Sequence, residues 1–189
     1  MYSKIVFVIA IAITFISCYD CRNEEIINKA KNAYIEIPID SLRLLSPARN
    51  KDTSKNKGKY DLLVIHYSPL SSCSECEMQR LSIWREIMNS AKESGLNIEY
   101  RFIIASTPKQ SHELIHYYNH NRIQLPIYLD DNNFIERINP LMRNSVFHSI
   151  IIDSKNKIVK IGDPSASLKN EEAFYAFLCE YRNKNFNKN

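Results

Sequence analysis

The sequence predicts a mixed α/β sandwich, a central β-sheet flanked by helices on both faces. Three observations carry that expectation. Leu62-Leu63-Val64-Ile65-His66-Tyr67 is a nearly continuous apolar run, the pattern of a strand buried on both faces. Beyond it Met78, Leu81, Trp84 (or Ile83), Ile87 and Met88 recur at helical spacing, which marks one buried helix face. Strand and helix patterns then alternate to the end of the chain, in the order strand, helix, strand, helix, strand, hairpin, helix.

The chain opens with an apolar run, residues 5–16, behind Lys4. It is too short to span a bilayer comfortably, and a positive charge before a short apolar run is the pattern of a signal peptide, assigned to residues 1–17. Residues 18–59 are expected as an N-terminal segment and extension. A short helix is expected within 19–34, and 46–59 reads as a polar loop containing Pro47 and Gly58. The principal domain is placed at 60–182. Its first helix is expected to begin after Ser72 or Cys73 and to stop at Gly95. Residues 98–105 form the next strand candidate, followed by a helix over 109–120 with Leu114, Ile115 and Tyr118 inward. Ile127-Tyr128-Leu129 reads as a strand behind Pro126, and Asp130-Asp131-Asn132-Asn133 as a turn. Ser149-Ile150-Ile151-Ile152 and Lys157-Ile158-Val159-Lys160-Ile161 flank Asp153-Ser154-Lys155-Asn156, a hairpin pattern. Residues 168–181 carry a helical stripe through Ala173, Phe174, Phe177 and Leu178, and 183–189 read as a polar tail.

Composition narrows the function classes. The chain has 189 residues, enough for one hydrophobic core rather than two full domains. Its formal charge is +4 without a basic run interleaved with aromatics, so no nucleic-acid partner is expected. Three glycines and the absence of GxGxxG or GxxxxGK[ST] leave no nucleotide-binding loop, and no cofactor is expected. His112, His116 and His120 share a helix face in a Tyr- and Asn-rich segment that reads as solvated, with no metal set assigned. His66 reads as a satisfied core residue, and Trp84 as the side chain packing the first helix on the sheet.

The chemistry-bearing segment is Ser68-Pro69-Leu70-Ser71-Ser72-Cys73-Ser74-Glu75-Cys76-Glu77. A buried strand leads into a short loop, and a CxxC opens an amphipathic helix. Unpaired N–H groups and the helix dipole at that terminus favour a thiolate. Cys73, nearer the tip, is expected to attack, and Cys76 to resolve the mixed disulfide from one turn along. Glu75, between them, opposes the dipole and raises the thiol pKa. A zinc half-site is the competing chemistry, but no second CxxC exists, and His148 and Cys179 are irregularly placed. A purely structural disulfide stays open. Cys21 and Cys179 either pair with each other or leave Cys179 as a buried free thiol.

Two resemblances add to this. Phe15-Ile16-Ser17-Cys18 resembles a bacterial lipobox of the loose kind seen in Bacteroides-type bacteria, with Phe15 where Leu is usual. It implies lipidation at Cys18 and a lipid-anchored protein of the cell envelope, outside the cytoplasm, periplasmic or outer-membrane associated. The strand into Ser68-Pro69-Leu70-Ser71-Ser72-Cys73-Ser74-Glu75-Cys76, with the later Phe147-His148-Ser149-Ile150-Ile151-Ile152-Asp153 and Lys157-Ile158-Val159, resembles the thioredoxin-like superfamily. The likeness is greatest to envelope thiol-disulfide oxidoreductases and alkyl hydroperoxide reductase/TlpA-type domains. The resemblance implies a thioredoxin-like three-layer sandwich that exchanges disulfides with envelope proteins through Cys73 and Cys76, supplied by an upstream redox donor. A non-catalytic thioredoxin-like binding or accessory lipoprotein is the alternative. Two departures stand out. The family has an aromatic residue where Ser72 lies, and a cis-proline facing the CxxC where this chain has Phe147. A cis bond before Phe147 would cost about 2.5–4 kcal/mol, so a trans peptide is expected there. His148, next in sequence, is an auxiliary candidate for stabilising a thiolate. Peroxidase chemistry is disfavoured, since no Arg can be matched around Cys73.

Overall fold

The computed structural model describes residues 33–45 and 60–186, with Ile27, Asn28 and Ala30. The expected leader over 1–17, Cys18, Cys21 and the expected loop over 46–59 lie outside the described residues. Six strands form one sheet: β1 (Arg43–Leu45), β2 (Leu62–Ser68), β3 (Ile98–Ala105), β4 (Ile127–Asp130), β5 (Ser149–Asp153) and β6 (Ile158–Ile161), in the order β1-β4-β3-β2-β5-β6. β2, β3 and β4 run parallel, while β1, β5 and β6 are antiparallel to their neighbours, so the sheet is mixed. The helices α1 (Ser74–Ala91), α2 (Pro108–His120), α3 (Phe134–Ile138) and α4 (Leu168–Phe186) accompany it among the described residues. This is the thioredoxin-like α/β sandwich expected from the sequence.

Every residue of β2 is buried, because strands pair with it on both edges and side chains cover both faces. Register sorts its side chains. Leu62 and Val64 join the cluster in which α1 contributes Met78, Leu81, Trp84 and Ile87, α2 Leu114 and Tyr118, and α4 Phe174 and Leu178. Leu63, Ile65 and Tyr67 face the other way. The three long helices thus share one face. The opposite face is covered by α3 through Ile135, by short 3-10 turns through Met142 and Phe147, and by Ile35 and Leu42 of the N-terminal segment.

That segment is laced into the fold. Tyr34 bridges Lys157, the Ile35 N–H donates to the Asn156 carbonyl, and the Asn139 amide both accepts from and donates to the Glu36 backbone. It ends in β1, which sequence pattern alone does not reveal, paired with β4 as Arg43↔Leu129 and Leu45↔Ile127. Helix boundaries follow local chemistry. Gly95 adopts φ 70°, ψ 7° behind a short 3-10 turn after α1. Thr107 and Gln110 form a capping box at the start of α2. The Asp153 carboxylate accepts the N–H groups of Lys155 and Lys157 and so shapes the hairpin turn. α4 continues to Phe186, into the segment expected as a polar tail.

Candidate functional site

The site lies where β2 ends and α1 begins. A turn closes over Pro69: the Ser72 N–H and hydroxyl both donate to the Pro69 carbonyl, at 3.0 and 2.8 Å. Ser68 and Ser72 hydroxyls bond across it at 2.5 Å. This delivers Cys73 as the N-cap of α1, with extended backbone and its sulfur accepting the Cys76 N–H at 3.3 Å. The sulfur therefore occupies the position where a helix N-terminus offers unpaired donors to an acceptor or anion. Cys73 and Cys76 form a disulfide across a Cα–Cα distance of 5.3 Å, and both residues are exposed. Glu75, between them, is also exposed, as expected of a side chain pointing away from the sheet.

Beside the turn is a cavity of about 380 Å³, bounded by the end of β2, the first turns of α1, and the 145–149 segment. The cysteines do not line it. The His66 Nε2 lies 3.4 Å from a Glu77 oxygen. The Arg80 guanidinium reaches Glu77 at 3.5 Å, Asp163 at 3.2 Å and the Ser165 hydroxyl at 3.4 Å. The hydrogen bond from His66 outweighs the opposing effect of burial, and with Arg80 nearby it holds the Glu77 carboxyl below its usual range. Ionised Glu77 accepts only, so the proton of that contact sits on His66 Nε2. His66 Nδ1 and the Ser149 hydroxyl are buried without a hydrogen-bond partner among the described residues. His66 is therefore not the satisfied core residue the sequence suggests. It packs on Trp84 and Phe102 from the core side while its polar edge meets α1.

Phe147 and His148, the auxiliary candidates, lie in the segment that bounds this cavity. Phe147 is fully buried in the core of the second face, and no described peptide bond is cis. Its ring packs among the apolar side chains of that face. His148 lines the cavity, its Nε2 donating to the Met142 carbonyl at 3.1 Å and its ring edge-on to Tyr67. Burial lowers its pKa, partly offset by that bond. Cys179 is an exposed free thiol, which corrects the buried alternative; its proposed partner Cys21 is outside the described residues.

Sequence reasoning misses the His66, Glu77, Arg80 and Asp163 set. One signal was available: a histidine inside an otherwise apolar strand just ahead of the CxxC, with a glutamate in the helix that follows. Asp163 gives no such signal, because it meets Arg80 only through the fold.

No protein-family model matches the chain, and no curated protein is detectably similar in sequence. Solved structures are similar in chain path. A proposed thiol:disulfide interchange protein from Chlorobium tepidum aligns at 11% identity over 78% of this chain and 97% of its own, with a TM-score of 0.49. An uncharacterized thioredoxin-like protein from Porphyromonas gingivalis aligns at 16% identity over 64% and 76%, TM-score 0.44. The exposed lipoprotein thioredoxin Etrx1 of Streptococcus pneumoniae aligns at 16% identity over 63% and 86%, TM-score 0.42. Likeness at this level assigns no activity to the chain. What the geometry itself provides is a surface-exposed cysteine pair, in its bonded form, at the N-terminus of a long helix on a thioredoxin-like sandwich.

Proposed function

We propose that the chain is a membrane-tethered thiol-disulfide oxidoreductase of the cell envelope, acting on protein substrates through Cys73 and Cys76. The observation that carries the reading is the exposure of both cysteines at the N-terminus of α1. A disulfide serving only as a staple has no need of that position, whereas exchange requires it. In the reducing direction the Cys73 thiolate attacks a substrate disulfide. A Cys73–substrate bond forms, the substrate S–S bond breaks, and one substrate thiolate leaves. Cys76 then loses its proton and attacks Cys73, releasing the second substrate thiolate, so that two electrons pass to the substrate and the pair is left as the disulfide. A dithiol donor of the envelope returns the pair to its reduced form.

Reduction is the preferred direction, because Glu75 and Glu77 bring two carboxylates into the first turn and Glu77 is held ionised. They offset the positive helix end, and a poorly stabilised thiolate goes with a more reducing pair. The midpoint potential of the pair in dithiol redox buffers tests this: a value well above about −150 mV overturns the reducing direction. No exchange with a dithiol at all overturns the enzyme reading.

The tether rests on the apolar run before Cys18, outside the described residues; among those residues no helix is long and apolar enough to cross a membrane. Cells fed a clickable fatty acid are expected to label the wild-type chain and not the Cys18→Ser variant; equal labelling of both removes the tether.

The second reading, a non-catalytic accessory lipoprotein on this scaffold, is favoured by Phe147. Its ring is buried in the core, at the position where the resemblance leads one to expect a proline. A Cys76→Ser variant separates the two. Accumulation of mixed disulfides through Cys73 supports exchange, and partner binding that survives Cys73→Ser with no mixed disulfide supports the scaffold.

A further inference from the structure

The exposed side of α2 carries His112, His116 and His120, spaced four residues apart and all exposed. Within it His112-Glu113-Leu114-Ile115-His116 has the H-E-x-x-H spacing, which on a helix puts two imidazoles on one face a turn apart. The rings of His116 and His120 are nearly parallel, 9° between planes and 6.1 Å between centroids. The tertiary structure adds what the sequence does not show. Glu75, from the turn between the two cysteines, lines the same open groove of about 690 Å³ as His112, Glu113, His116 and His120. None of these five side chains makes a hydrogen bond or an ion pair to another described residue. Three imidazoles and two carboxylates thus share one open depression, uncommitted to the rest of the described fold.

We propose that this groove is a binding site for a late first-row divalent cation, Zn2+ or Cu2+, clamped by His116 and His120 with Glu75 completing the shell. Imidazole and carboxylate suit these ions, and Cu2+ is expected to bind more tightly than Zn2+. In the rotamers present, no three His, Cys, Asp or Glu side chains among the described residues form a ready-made metal site. The backbone spacing is nevertheless set by the helix, which holds Cβ atoms four residues apart at about 5–6 Å. Imidazoles one turn apart on an exposed helix face can be turned toward a shared ion by rotation about χ1 and χ2. Glu75 makes the location consequential, since an ion there places positive charge on the rim of the Cys73–Cys76 pair. Hydrolytic chemistry forms no part of the proposal.

Calorimetric titration of the purified, oxidised full chain with ZnCl2 and with CuCl2 tests it. One equivalent is expected to bind with micromolar affinity. His116→Ala and His120→Ala are each expected to weaken binding by about tenfold or more, by analogy with the sensitivity of metal sites to loss of supporting groups. A weaker loss is expected for Glu75→Gln, and none for Cys179→Ser. The Cys73→Ser/Cys76→Ser double variant is expected to keep the site, so failure of the redox reading and failure of this one are distinguishable. The altered side chains are exposed, and an unchanged far-UV circular dichroism spectrum and thermal midpoint verify that the variants fold. Absence of binding at a concentration of about 100 µM, or equal affinity in wild type and the His116→Ala/His120→Ala double variant, overturns the proposal. Unchanged affinity in Glu75→Gln overturns the assignment of Glu75.

Discussion

Trp84 is fully enclosed, its indole edge-on to Phe102 at 5.3 Å between centroids and tilted against His66 at 5.4 Å. Cutting it back to Ala leaves a cavity between α1 and the sheet where little can collapse, because the lining comes from β2 and β3. A loss of about 3–5 kcal/mol is expected, read as a lower urea midpoint at unchanged slope. His148 carries a pH prediction. Burial lowers its pKa in the folded chain, so folding favours the neutral ring. Its contribution is complete above the unfolded value of about 6.5 and is lost as pH falls below it, through the folded pKa. Glu77 and Asp131 act in a lower window. Both carboxyls are held below their ordinary pKa: Glu77 by His66 first, and Asp131 by Ser111 and Arg43 against the cost of burial. Their stabilisation is present above an unfolded pKa of about 4 and disappears as pH drops through the folded values. Thermal midpoints across the acid range are expected to fall in two stages, with His148→Gln flattening only the upper one. An unchanged upper stage in that variant removes the role of His148.

At the scale of elements, α1 is defined at both ends by features that depend on one residue each. Cys73 caps its start, and Gly95 turns the chain left-handed after it. A Cβ built on Gly95 meets nothing within 4 Å, so Gly95→Ala costs only the backbone preference, about 1–2 kcal/mol. Equilibrium unfolding checks this, and a neutral result means the chain reaches Ile98 by another path. The sequence makes α1, α2, α4, the β5–β6 hairpin and the buried run of β2 legible, because each has a clear period or a punctuating turn. It does not make β1 or α3 legible. Arg43-Leu44-Leu45 is too short to display a period, and its pairing partner Ile127-Tyr128-Leu129 is remote in the chain. The Asp130 carboxylate reads as part of a turn. In the fold it accepts the N–H groups of Phe134 and Ile135, at 2.7 and 2.9 Å, and starts a helix.

At the scale of the whole molecule, the N-terminal residues 33–45 take part in both core clusters. Ile35, Leu42 and Leu45 are buried in the two core clusters, although the sequence places the principal domain at 60–182. Each fully buried side chain of this kind is worth about 1.5–3 kcal/mol, and a domain of this size has a net stability of only about 5–15 kcal/mol. A chain beginning at Tyr60 also exposes the edge of β4. It is therefore expected to lose cooperative thermal unfolding or to aggregate, whereas a chain beginning before Tyr34 retains it. A cooperative transition in the shorter chain, at the midpoint of the longer one, contradicts this.

The sequence by itself determined the α/β class, the strand-loop-helix setting of Cys73 and Cys76, and the expectation of a trans peptide before Phe147. All are local: they follow from period, turn chemistry and the energy of one peptide bond. Tertiary structure alone decided that the three long helices share one face and that Asp163 grips Arg80. It also decided that His66 keeps a nitrogen without a partner among the described residues, and that Glu75 overlooks the histidine groove of α2. Each of these joins segments far apart in the chain, and a contact made by folding leaves no period in the sequence for pattern to find.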